Sequence, residues 1–333
     1  MTVGETTGIS ERELRHAAGL VAQIGTVVDQ RLVGQRNLRT ALLCALLSGG
    51  HVLLESVPGL AKTTAAQALA SAVSGSFHRI QCTPDLMPND IVGTQILNYA
   101  TGTFSTQLGP VHANVVLLDE INRSSAKTQS AMLEAMQERQ TSIGGEVHPL
   151  PSPFMVLATQ NPIEEEGTYV LPEAQMDRFL LKEVIDYPSP EEEIEVLARV
   201  ASGAQSAPLT APPVSLDDVR FLQGLTRRVY VDDAIRRYVV ALVATTRGGG
   251  PNPVPGIRQH VRVGASPRGS IALMQIAQAL AVLAGRAYVI PEDVKALRHP
   301  VLRHRLVRTL DALVDQITAE SIVDAVFAAV PAP

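Results

Sequence analysis

The sequence predicts an α/β fold: a core built on a largely parallel sheet, followed by a smaller all-helical domain. Three observations carry this. Short apolar runs at 51–55, 115–118 and 154–158, the second of them entirely apolar, alternate with helical patterns, as strands buried on both faces of a parallel sheet do. Beyond a Gly/Pro/Ser-rich stretch that ends at Pro213, the periodicity is helical only. The 333 residues are 46% apolar and 18% charged, which supplies a sizeable core and suits two domains.

Taken in order, residues 10–30 read as a helix with capping-box spacing at Ser10 and Glu13. A second helix, 36–48, is apolar on most of its surface and stops at Gly49-Gly50. The strand 51–55 leads through a Pro/Gly loop to a helix at 62–74, and the strand 115–118 to a helix at 124–139. Residues 141–150 form a hairpin turning at Gly144-Gly145. Strands follow at 154–158 and 179–185. Ser189-Pro190, followed by Glu191, Glu192 and Glu193, begins a helix with a capping residue, a proline in its first turn and dipole-matched acids. A linker at 187–214 precedes helices at 215–228, 231–246, 267–284, 291–298 and 308–328, interrupted by a loop at 248–267. The expected division is an N-terminal helix (1–30), an α/β core (31–190) and a helical domain (203–333).

Composition removes several function classes. With 28 basic against 33 acidic side chains the net charge is −5, which disfavours blanket binding to nucleic acid. Cys44 and Cys82 belong to no CxxC or Cys/His cluster, so they read as two buried thiols, with no zinc or disulfide framework. The N-terminus carries Glu5, Glu11 and Glu13 and no apolar signal region, and no apolar stretch is long enough to span a bilayer. The chain therefore reads as cytoplasmic. Only four of the 28 basic residues are lysine: Lys62, Lys127, Lys182 and Lys295. Lysines that survive such a bias mark places where a compact point charge and a planar fork differ.

Five segments carry chemistry. Ser56 to Thr63 connects a strand to a helix as a phosphate-binding loop does, with Pro58-Gly59 for the turn and Lys62-Thr63 opening the helix. Ser56 and Ala61 replace the two pattern glycines, and a strained fit follows if position 56 needs positive φ. The strand 115–118 runs into Asp119-Glu120. Beside a phosphate loop, Asp119 could hold Mg²⁺ directly or through water and Glu120 could polarise an attacking water; a strand ending in a polar turn is the plainer alternative. Asn161, past the strand 154–158, could orient that water or simply form an Asn-Pro turn. Asp177-Arg178 reads as an ion pair or as an arginine offered to a neighbouring subunit's ATP. Arg268 sits in the first turn of a helix, where its charge opposes the dipole and suggests an anionic partner.

In this order the segments resemble the AAA+ ATPases, and within them the MoxR family. The resemblance covers about 31–308. It rests on Val33-Gly34-Gln35, 51–63, Arg79-Ile80-Gln81, Thr83-Pro84-Asp85-Leu86, 119–123, 127–140, 159–175 and 264–268. It implies an AAA+ P-loop NTPase core with a parallel sheet and an all-α lid. It further implies that Val33, Gly34 and Gln35 line an adenine pocket and that Pro58, Gly59, Leu60, Ala61, Lys62, Thr63 and Thr64 belong to Walker A. By the same resemblance Asp119 and Glu120 form Walker B, Asn161 is sensor 1, Arg178 the arginine finger and Arg268 sensor 2. ATP and Mg²⁺ are the implied cofactors, with Thr63 and Asp119 as metal ligands. A helix-2 insert at 93–110 and a hairpin at 141–153 would touch client proteins near a central pore. The implied assembly is a ring, hexameric by expectation. The implied work is chaperone-like remodelling or metal/cofactor insertion, with a partner carrying a von Willebrand A-type domain. Two other classes stay open: a nucleic-acid motor, for which Arg298, His299, Arg303, His304, Arg305 and Arg308 are the one basic cluster, and a nucleotide-gated binding module with little turnover. A solvated or inter-subunit helix face explains that cluster equally well.

Overall fold

The computed structural model describes residues 8–57, 60, 62–161, 169, 171–203, 207, 213–250 and 252–333. The core runs α1 (Glu11–Arg31), α2 (Arg36–Ser48), β1 (Val52–Glu55), α3 (Lys62–Ala72) and β2 (Phe77–Gln81). There follow α4 (Pro88–Val92), β3 (Gly93–Asn98), β4 (Thr103–Leu108), β5 (Val115–Asp119) and α5 (Ala126–Glu138). The hairpin β6 (Gln140–Ile143) and β7 (Glu146–Pro149) leads to β8 (Met155–Gln160), α6 (Glu173–Met176) and β9 (Leu181–Val184).

Five strands form one sheet in the order β2-β5-β8-β1-β9, and every pairing is parallel. The order decides where chemistry can sit. β8 lies between β1 and β5, so the chain leaving β8 emerges between the loop after β1 and the acids that end β5. All five residues of β5 are buried, as a central strand between two helical layers requires. One apolar cluster fills one face of the sheet and continues without a break through α1, α2 and α3 into the C-terminal helices. A second covers the opposite face beneath α5. Cys44 and Cys82 are buried.

The C-terminal region contains α7 (Pro190–Ala201), α8 (Leu216–Arg228), α9 (Asp233–Thr246), α10 (Ile257–His260), α11 (Pro267–Leu283), α12 (Pro291–Ala296) and α13 (Arg298–Leu302). It is helical as expected, with two differences. An antiparallel ribbon, β10 (Val261–Val263) with β11 (Val307–Arg308), crosses the expected loop. The expected helix at 308–328 is two, α14 (Leu310–Val314) and α15 (Ala319–Ala329). Gln316 between them takes φ 55°, which no α-helix accommodates. Among the described residues no helix is long and apolar enough to cross a membrane.

Two hairpins stand on the core. β3 and β4 pair only with each other, and Tyr99 at their tip is 91% exposed, with Phe104 and Ile96 also open. The chain entering and leaving this hairpin passes so close that a side chain at Gly93 would strike the Gln107 carbonyl, and Gly93 also has φ 115°. The β6–β7 hairpin, which carries the exposed Val147, approaches the first one where Gly144 meets Gln95.

Candidate active site

The C-terminal end of β1 opens the site. Ser56 is buried, and its N–H donates to the Gln160 carbonyl of β8 at 3.3 Å. Ser56 is not among the residues with positive φ, so serine stands there without the strain considered above. Pro58, Gly59 and Ala61 lie outside the described residues. Leu60 packs against the core. Lys62 and Thr63 begin α3, and the Lys62 ammonium donates to the Ser56 carbonyl at 3.3 Å. The first turn of a helix has unpaired N–H groups and the positive end of the dipole. With Lys62 beside it, this end of α3 suits an anion. Thr64 lines a cleft of about 620 Å³ along α3, together with Arg31, Gln67, Ser71 and Phe77.

At the end of β1, Glu55 pairs with Lys182 of β9 at 2.6 Å. The pair neutralises the Glu55 carboxylate where β1 ends. The sequence singled out Lys182 but supplied no role, because the two positions meet only through the β1–β9 register.

The acidic pair is held from three sides. Asp119 is buried; its Oδ1 accepts from the Thr159 hydroxyl at 2.7 Å, and its Oδ2 from Arg79 Nε at 3.1 Å and Nη2 at 2.6 Å. Glu120 takes the left-handed conformation, φ 58° and ψ 52°, which costs a residue other than glycine on the order of 1 kcal/mol. Its N–H donates to the same Thr159 hydroxyl at 2.8 Å, and that bond fixes the elbow. Its Oε2 accepts from Gln81 Nε2 at 3.0 Å and Arg123 Nη1 at 3.4 Å. Asn161, buried, follows β8 between the acids and the phosphate loop. Arg79, Gln81, Arg123 and Thr159 were given no role from the sequence. The stretch containing Arg79 and Gln81 was noted, but its strand was not.

Val33, Gly34 and Gln35 approach the segment after β9. Gln35 Nε2 donates to the Asp186 carbonyl at 3.0 Å. A Cβ at Gly34 would displace the end of the Glu192 side chain of α7, and its φ of 64° favours glycine there.

Arg178 and Arg268 come together, but elsewhere. With Arg139, Arg305 and His51 they line a cavity of about 230 Å³ that adjoins Gly49 and Gly50, before β1 begins. Lys62 follows the other end of β1, about 13 Å away at 3.3 Å per strand residue. Arg178 Nη1 donates to the Leu133 carbonyl at 3.1 Å. His51 is neutral: burial pushes its pKa down to about 3, its Nδ1 accepts from the Val156 N–H at 3.0 Å, and its Nε2 faces the Met136 carbonyl at 3.1 Å. The cavity's charged lining is therefore its four arginines and the one carboxylate of Asp177.

Asp177, one residue before Arg178, ties core to C-terminal helices. It accepts from Arg305 Nε at 2.8 Å and from the hydroxyl of Ser266, the α11 cap, at 2.7 Å. The Arg305 side chain is only 2% exposed. Burial pushes its pKa down to about 10, with Asp177 opposing that shift. Asp177→Ala strands this charge, and we expect it to remove about 3 kcal/mol of stability, read as a lower midpoint in urea unfolding.

The basic cluster is partnered within the fold. Arg298 and His299 both meet Asp324, at 2.8 Å and 2.7 Å, and Arg303 meets Glu320 at 3.0 Å. His304 and Arg305 are buried. The cluster thus differs from a freely solvated face: Arg298, His299, Arg303 and Arg305 turn toward acids distant in sequence, while His304 faces the Phe179 carbonyl and Arg308 donates to that of Ile317.

The profile of the ATPase family associated with various cellular activities (AAA) matches residues 51–181, and that of the AAA lid domain matches 257–326. The chain is 48% identical over 323 residues to Chaperone MoxR1 of Mycobacterium tuberculosis, covering 95% of this chain and 85% of that protein. It is 32% identical over 327 residues to Protein MoxR of Paracoccus denitrificans, covering 91% and 93%. A crystal structure from Cytophaga hutchinsonii, described as that of an ATPase, superposes with a TM-score of 0.90 at 39% identity, over 97% of this chain and 98% of that one.

Proposed function

Because the chain belongs to the MoxR family of AAA ATPases, we propose that it works as a ring whose ATP sites are completed by neighbouring subunits. Lys62, Thr63 and Thr64, with the loop residues Pro58, Gly59, Leu60 and Ala61, bind the polyphosphate, and Val33, Gly34 and Gln35 enclose the base. Glu120 accepts a proton from the attacking water, and Asn161 orients that water. Arg178 and Arg268 offset charge on the nucleotide held by the adjacent subunit. The observation that carries this reading is their shared cavity at the opposite end of β1 from Lys62.

The residues present fit Mg²⁺. Asp119 offers a buried carboxylate, and the hydroxyl of Thr63 lies in the first turn of α3; hard oxygen donors suit this ion. Bound there, Mg²⁺ would supply charge neutralisation on the phosphates.

We assign residues 31–190 to the nucleotide-binding core and 203–333 to the lid, with 1–30 as a flanking helix. The work is chaperone-like remodelling of client proteins or metal/cofactor insertion into them, in the cytoplasm, with a von Willebrand A-domain protein as partner. A relative named as a chaperone supports the first part, and the open apolar tips at Tyr99, Phe104 and Val147 offer client contacts. The ring is expected to be a hexamer. The test is phosphate release by the purified chain alongside its mass in solution. Release that rises steeply with protein concentration as the ring assembles supports the reading, and release by a stable monomer overturns completion by neighbours.

A further inference from the structure

β2 is an edge strand, yet it presents two polar side chains to the acidic pair. Gln81 lies in register with Asp119, and Arg79, two residues earlier, projects to the same face. Arg79 grips Asp119 Oδ2 with both Nε and Nη2, at 3.1 Å and 2.6 Å. The same Nη2 donates to Gln81 Oε1 at 2.6 Å, and Gln81 Nε2 donates onward to Glu120 Oε2 at 3.0 Å. With its oxygen held by Arg79, the Gln81 amide has its nitrogen turned to Glu120.

We propose that Arg79 is the resident counter-ion of Asp119 and that it yields this carboxylate to a divalent cation, so that guanidinium and cation compete for one site. The inference rests on the nucleotide-site reading above. A guanidinium and a dication on one carboxylate repel each other, and a small hard cation needs its oxygen ligands at close, regular positions. The two partners differ in freedom. Asp119's side chain is 10% exposed and pinned by Thr159, whereas that of Arg79 is 47% exposed and can swing into water. The arginine is therefore the group that moves. Without the cation, Asp119 stays neutralised by the guanidinium. Arg79 is thus a positioning residue, acting through Asp119.

The test measures Mn²⁺ binding to the full-length protein at saturating ADP, with free Mn²⁺ followed by electron paramagnetic resonance. Arg79→Gln is expected to bind Mn²⁺ roughly tenfold more tightly than the parent, since a charge-assisted competitor has gone. Arg79→Lys, with the charge but no fork, is expected to fall between the two. Gln81→Ala removes the neighbouring amide but leaves Arg79 on Asp119, and is expected to keep the parental affinity. Equal or weaker Mn²⁺ binding by natively melting Arg79→Gln overturns the proposal. Parental affinity in Arg79→Lys does so should the glutamine variant not fold, and so does tightening in Gln81→Ala. If ADP fails to promote Mn²⁺ uptake by the parent protein, the nucleotide-site reading falls and this inference falls with it. If ADP promotes uptake and the variants match the parent, only the role of Arg79 falls.

Discussion

Glu120→Gln is expected to keep ATP bound and to slow turnover by about 10²- to 10⁴-fold, the usual contribution of a positioned general base. The substitution is nearly isosteric, so the elbow that places residue 120 should survive: its N–H bond to Thr159 belongs to the backbone. What is lost is the carboxylate's ability to take a proton. A fluorescent nucleotide analogue should therefore bind the variant as it binds the parent, while steady-state phosphate release collapses. Undiminished release would remove Glu120 from the catalytic step.

Arg178→Ala should be as damaging, for a different reason. An arginine that meets developing phosphoryl charge contributes about 10³- to 10⁵-fold, but Arg178 lies in the cavity beside Gly49–His51 and not beside Lys62. Its effect should therefore appear at a neighbour's nucleotide. Mixing Arg178→Ala with Glu120→Gln subunits then restores activity, because in equal mixtures about a quarter of the interfaces in a cyclic ring combine an intact glutamate with an intact arginine. Assembled mixed rings that stay inactive would count against action in trans. The truncation should cost little stability, since among the described residues Arg178 gives up a backbone hydrogen bond at 3.1 Å and the Asp177 latch next to it is untouched.

Much of this was legible in the sequence because it was written locally. β5 is an unbroken apolar run ending in two acids, and both its burial and its chemistry follow from consecutive residues. The capping box at Ser10 and Glu13 and the cap at Ser189 fixed helix starts that the structure reproduces. β2 escaped because an edge strand needs only one apolar side, and of Phe77–Gln81 only Ile80 is fully buried. β3 and β4 escaped because neither of their faces joins the core, so no alternation records them. The ribbon β10–β11 is too short to leave a period. In the site, Lys62, Asp119 and Glu120 were found from motifs. Arg79, Gln81 and Lys182 acquire roles only through strand pairings between residues about 40 or 130 positions apart.

Asp177 and Arg178 are separated by one peptide bond, and the two side chains answer to different masters. The first is fastened to Ser266 and Arg305 in the C-terminal helices; the second faces the cavity offered to the next subunit. A tilt of those helices has two outcomes: the buried latch breaks, or residue 178 travels with them. In a ring of the proposed kind, the lid of each subunit thus has its hand on its neighbour's trigger. Timing around the ring then needs no long chain of side-chain rearrangements, because the signal crosses a single residue step.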